Sequence, residues 1–337
     1  MHSFYHGKSE STLLALFRRN VFFTQLLLLP YIFLIRAITL IEPKAFLLPE
    51  KSNVFQKSIF LTIQQPFAQN VIANILIFIQ AMIVNSLVVK HRLSRENTLI
   101  PAVIYVLFAT IMPENALLSP VIVANTFVIL ALYHIFTTYK VQIATVNIFN
   151  AGLFLALASL FYAPYFTFLL FGIIALSQLR AFRLMEFIQY AAGFVTPFFL
   201  LFTYRYCNDI VFFDSEFLLS ILGNLPKSDK HLVLSQWVGF SVLLVATLFL
   251  LGVYGTITGR KNIQIQKKFD IVYWLMFFCL TSFFAFQSNQ LEHLLTLTIP
   301  ISILAGNMAS DSTSRVFYEF VHLLLLASIV LTHFVLS

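Results

Sequence analysis

The chain has 337 residues, 59% of them hydrophobic and only 10% charged, with a formal net charge of +7 and a mean hydropathy of +0.88. A soluble domain carries about a quarter charged residues, so a water-facing polar surface is excluded for most of this polypeptide. The apolar surface must face lipid, whose hydrocarbon core is crossed by apolar helices of about 20 residues.

In chain order, residues 1–20 come first, with Arg18 and Arg19 following a short apolar run. No small-residue cleavage pattern closes the next stretch, so this reads as an interfacial segment and not as a removed leader. Hydropathy and loop charge then place about eleven spans. They lie near 21–41, 67–89, 98–112, 119–138, 147–162, 164–179, 187–206, 236–257, 271–287, 292–309 and 316–336. The fifth and sixth are short and together form a helical hairpin broken at Pro164. Residues 42–66 and 208–235 mix apolar and charged positions and read as amphipathic segments on the outer surface. Residues 1–337 are thus expected to form a single all-α polytopic transmembrane bundle.

Orientation follows from the cations. With the N-terminus in the cytoplasm, inner loops hold Lys8, Arg18, Arg19, Lys90, Arg92, Arg95, Lys140, Arg180, Arg183, Arg260, Lys261, Lys267, Lys268 and Arg315. Outer loops hold fewer cations and most of the acids, among them Glu42, Glu50, Glu114, Asp209 and Glu292. Insertion retains cationic loops on the cytoplasmic side, which favours this orientation. The positive charge is then an inner-face excess that meets anionic lipid, not a nucleic-acid footprint.

Polar groups inside spans are expensive and mark packing or function. Asn70, Asn74, Gln80 and Asn85 in the second span and Asn125 in the fourth are expected to cross-link helices by hydrogen bonds, each worth about 0.6 kcal/mol. Arg36 and Arg205 sit toward outer span ends, where a guanidinium either holds a lipid phosphate or snorkels to the head groups. Snorkelling is the expectation for Arg205, while Arg36, a turn deeper, is open to both. Arg183 and Glu186 are spaced for an i,i+3 ion pair. Cys207 and Cys279 form no disulfide framework, and no HExxH, GxSxG or glycine-rich phosphate loop occurs. No metal or other cofactor is expected.

The run NAGLFLALASLFYAPYFTFLLFGIIALSQLRAFRLMEFIQYAAGFVTPFFLLFTY (150–204), with NILIFIQAMIVNSLVV and RLSRENTLIPAVIYVLFATIMPENALLSPVIVANTFVILALYHIF upstream, resembles an uncharacterised multi-pass family of Bacteroidota inner membranes. That family in turn resembles distantly the polytopic GT-C glycosyltransferases, which use polyprenyl-phosphate sugars. The resemblance implies a bacterial inner-membrane location and, in the enzymes, a catalytic acid in the first outer loop. Only Glu42 and Glu50 could fill that role here, and neither sits in the usual Asp/Glu-rich motif. The first reading is therefore a non-enzymatic subunit or scaffold of an envelope or secretion complex, with membrane lipids and other membrane subunits as partners. The alternative is a GT-C-like enzyme with Glu42 as the acid and Arg36 and Arg205 as holders of polyprenyl phosphate. A transporter comes third.

Overall fold

The computed structural model describes residues 13–43, 63, 65–181, 183–208, 233–259, 261–285, 291–312 and 314–335. The amphipathic segments expected at 42–66 and 208–235, with Glu50 and Asp209, lie largely outside them, as do residues 1–12 of the interfacial segment. The described chain is helical, without strands. Its helices are α1 (Phe22–Ile35), α2 (Pro66–Lys90), α3 (Ile100–Thr110), α4 (Pro120–Thr137), α5 (Thr145–Phe161) and α6 (Phe168–Leu179). They continue with α7 (Leu184–Cys207), α8 (Leu234–Gly252), α9 (Ile263–Ala285), α10 (Thr298–Asp311) and α11 (Arg315–Val330).

Proline and tight turns set several boundaries. Proline at the first turn starts α2, α3 and α4, where its missing N–H has no intrahelical acceptor to lose. The break at Pro164 is a 3₁₀ turn, Ala163–Thr167, between α5 and α6. Among the described residues six segments are long and apolar enough to cross a membrane: α2, α4, α7, α8, Leu291–Asp311 and Val316–His333. The helices α1, α3 and α5 and the stretch Ala163–Leu179 are apolar but shorter.

Burial sorts the helices into a centre and a rim. Of the Leu291–Asp311 window 89% is buried, against 28% for α7, α8 and α11. Thr298, Ser302, Asn307 and Ser310 are therefore tolerated on α10, because protein and not lipid surrounds them. The rim helices instead turn large apolar side chains outward, such as Phe199 and Leu200 on α7, Val245 and Leu248 on α8 and Phe320 on α11.

Helix α3 is the most constrained element. Eleven residues rise only ~16 Å, about half of a ~30 Å hydrocarbon core, so a helix that starts beside the exposed loop Arg95–Asn97 ends at a depth where water cannot satisfy its last carbonyls. The last carbonyls are met from the far end of the chain. Thr332 Oγ1 donates to the Ile111 carbonyl at 3.1 Å, and His333 Nε2 lies 2.8 Å from the Thr110 carbonyl. Both side chains come from a π-helical turn, Leu331–Val335, that continues α11. At the other end, the Leu99 amide donates to the Phe17 carbonyl at 2.9 Å.

The cation-rich loops gather at one end of the bundle. Asn20 bonds Asn97, Lys261 bonds Asp311 at 2.6 Å, Ser94 also reaches Asp311, and Lys267 donates to the Gln178 carbonyl. Glu186 is paired there, but with Arg180 and not Arg183: the guanidinium grips both carboxylate oxygens at 2.7 and 2.9 Å. Arg183 is the extended N-cap of α7 (φ −129°), so the helical face that an i,i+3 pair needs does not exist. Arg180 also donates to the Thr138 and Val141 carbonyls, fastening the α4–α5 loop to the α6–α7 loop.

Small residues let α5 and α7 meet backbone to backbone. A Cβ on Gly193 would stand 2.1 Å from the Phe149 carbonyl oxygen, and one on Gly152 would stand 2.2 Å from that of Tyr190. Gly193→Leu is expected to force these helices apart and destabilise the fold by at least about 1–3 kcal/mol. Gly252→Ala, which meets nothing within 4 Å, should leave the thermal midpoint in detergent unchanged. Equal midpoints for the two variants would refute the close crossing.

Candidate functional site

Several polar residues of the spans gather around Arg36, toward the end of the bundle opposite the cation-rich loops. Arg36 interrupts the first span: α1 stops at Ile35, Arg36 takes φ −100° and ψ 18°, and one more turn follows at Ala37–Ile41. Its side chain is fully buried. One terminal nitrogen donates to Asn74 Oδ1 on α2 at 2.7 Å, and the other donates to the Asn115 carbonyl in the 3₁₀ turn Pro113–Ala116. A single guanidinium thus clamps α1, α2 and the turn after α3. The planar fork of Arg suits two acceptors held at fixed angles.

The clamp leaves hydrogen-bonding capacity over. Arg36 Nε, Asn74 Nδ2, the Asn115 side-chain amide, Asn70 Oδ1 and Glu114 Oε2 are buried without partners. Among the described residues the ion pairs are Arg18–Glu96, Arg180–Glu186 and Lys261–Asp311, so Arg36 has no counter-ion there. Hydrogen bonds donated to neutral oxygens are what stabilise this buried cation.

Deeper in, Tyr105 of α3 joins three helices. Its hydroxyl donates to Gln80 Oε1 at 2.6 Å and accepts from Asn125 Nδ2 at 2.9 Å, while Gln80 Nε2 donates to the Ile122 carbonyl and Thr126 Oγ1, both at 2.7 Å. Asn70 Nδ2 donates to the Thr39 carbonyl at 2.8 Å. Asn85 is buried, and its Oδ1 has no partner. A neighbouring cluster joins two 3₁₀ turns: Tyr165 bonds Thr296, and His293 Nε2 lies 2.7 Å from Ser282 Oγ with Tyr162 and Tyr165 against its ring.

Glu42 and Arg205 take no part in the bonds described around Arg36. Glu42 is exposed just past the Ala37–Ile41 turn. Arg205 is 7% exposed on α7, which packs on α5, whereas α1 packs on α2. No described bond joins Arg36, Glu42 and Arg205. Sequence reasoning missed Tyr105 and Asn115. A tyrosine in the middle of an apolar span was the available signal for the first, since a buried hydroxyl requires a partner. Asn115 acts through its carbonyl, which no side-chain pattern reveals.

A broad apolar groove of about 430 Å³ opens between α3, α8, α10 and α11, with Ser241, Tyr318 and His322 as its polar residues. Outward apolar faces, segments long enough to cross hydrocarbon and polar groups turned inward define the class: a helical membrane protein. Within that class the chain belongs to DUF6427, a family of unknown function whose model matches residues 53–336. No curated protein and no solved structure matches it significantly.

Arg36→Lys keeps the charge but cannot hold both acceptors. It should cost about 2 kcal/mol, within the penalty for orphaning one buried acceptor, read as a lower thermal midpoint in detergent. An unaltered midpoint would remove Arg36 from its structural role.

Proposed function

We propose that this protein is a multi-pass inner-membrane scaffold, a non-catalytic subunit of an envelope or secretion assembly, with about eleven spans and its cation-rich end in the cytoplasm. The Arg36 clamp carries the reading. The buried guanidinium of Arg36 is committed to Asn74 and to the Asn115 carbonyl, and Glu42 lies outside the clamp. Tyr105, Gln80 and Asn125 are likewise engaged with one another across three helices. Such bonds fix helix positions, which a subunit needs in order to present a constant outward face.

Purification in mild detergent is expected to recover other membrane proteins in fixed stoichiometry. Recovery of a monomer alone would overturn the subunit reading. For orientation, Lys140→Cys in a Cys207→Ser background should resist a membrane-impermeant maleimide in intact cells and react after permeabilisation. Labelling of intact cells would invert the topology.

One observation favours the GT-C-like alternative. The donors left over beside Arg36, its own Nε and the amides of Asn74 and Asn115, suit phosphate oxygens of a polyprenyl-linked sugar. In that reading Glu42→Gln abolishes sugar transfer in cells while the protein accumulates normally; undiminished function of that variant rejects it.

A further inference from the structure

A second polar site lies at the cation-rich end, where the last turn of α2, the end of α4 and the first turns of α9 meet. These segments enclose a pocket of about 440 Å³ lined by Lys90, His91, Tyr133, Tyr139, Asn147 and Lys268 together with Phe136, Thr137 and Gln264. None of these lining residues is acidic.

Lys268 is the unusual member. It is 1% exposed, and its ammonium lies 3.0 Å from His91 Nδ1, 5.7 Å from the Phe136 ring and 5.9 Å from the Tyr139 ring. It belongs to none of the ion pairs among the described residues. The nearest acid along its own helix, Asp270, accepts from the Tyr254 hydroxyl at 2.7 Å. A buried ammonium without a counter-ion is costly unless something anionic arrives.

The surrounding groups repeat the same sign. Lys90 donates to the Tyr133 hydroxyl and sits 4.3 Å above that ring, leaving further N–H donors. Lys140 stands 5.6 Å from the Tyr139 ring. His91 accepts from Lys268 at Nδ1, which places its own proton on Nε2, and that nitrogen is buried with no partner. Burial and the flanking Lys268 and Lys90 push the His91 imidazole down to about 3, so it remains a neutral N–H donor at cellular pH. Asn147 accepts at Oδ1 from the His134 ring, and its Nδ2 is a further donor.

We infer that the pocket formed by Lys90, His91 and Lys268 binds a phosphate-bearing dianion, either free in the cytoplasm or carried as a phosphomonoester lipid head group. Two ammonium groups match the two negative charges, and the remaining N–H donors meet tetrahedrally disposed oxygens. The site lies at a helix end, where either source reaches it.

The test uses the full-length protein in a neutral detergent. Inorganic phosphate should raise its thermal midpoint in a saturable manner beyond sodium chloride of equal ionic strength, or native mass spectrometry should show phosphatidic acid retained over phosphatidylcholine. The first result identifies a soluble ligand and the second a lipid. Lys268→Met preserves side-chain length and removes the buried charge, so it folds without the desolvation burden. It should weaken whichever binding is seen by about tenfold or more, and Lys90→Gln should weaken it similarly. Absence of both responses in the unaltered protein, or equal responses in the Lys268→Met and Lys90→Gln variants, would overturn the site.

Discussion

A peptide group left without a partner in hydrocarbon costs several kcal/mol, and this chain contains helices too short to hide all of theirs. Helix α3 cannot reach across the apolar layer, and α1 stops at Arg36. The arrangement of the remaining helices follows from this constraint. The ends of α3 are met by Phe17, Thr332 and His333, and the turn that follows it by Arg36. Partners for these groups come from both ends of the sequence, which keeps the first and last described spans against the centre.

The two ends of the bundle use polar residues differently. At the cation-rich end, charges meet charges or carbonyls, as in Lys261–Asp311 and Arg180–Glu186, beside a pocket whose Lys90 and Lys268 form no ion pair among the described residues. At the opposite end Arg36 is held by neutral oxygens, and tyrosine, glutamine and asparagine side chains extend the network inward. Salt bridges tolerate the wet boundary, whereas neutral hydrogen bonds avoid the expense of desolvating two ions inside. The distribution follows dielectric depth.

Much of the architecture was legible from residue patterns. Apolar run length and proline position located the helices, and the Pro164 break appears as a 3₁₀ turn between α5 and α6. The gathering of the basic loops at one end was readable from charge bias. Side-chain partnerships were far less so. Spacing suggested Arg183 for Glu186, but helix spacing has no meaning across an extended N-cap, and Arg180 reaches the carboxylate through the loop. Arg36 was recognisable as a residue needing a partner, yet one of its acceptors is the Asn115 main chain, 79 positions away. The pocket around Lys268 was hidden because Lys90 and His91, at the end of α2, and Lys268, on α9, look along the sequence like ordinary loop charges.

The capping of α3 by Thr332 and His333 also bears on how the chain is made. Those side chains follow the carbonyls they satisfy, at residues 111 and 110, by 221 and 223 positions. Until that later segment has been made, the carbonyls of residues 110 and 111 lack these partners. The turn at Leu331–Val335 thus ties the final docking of α3 to a segment synthesised much later.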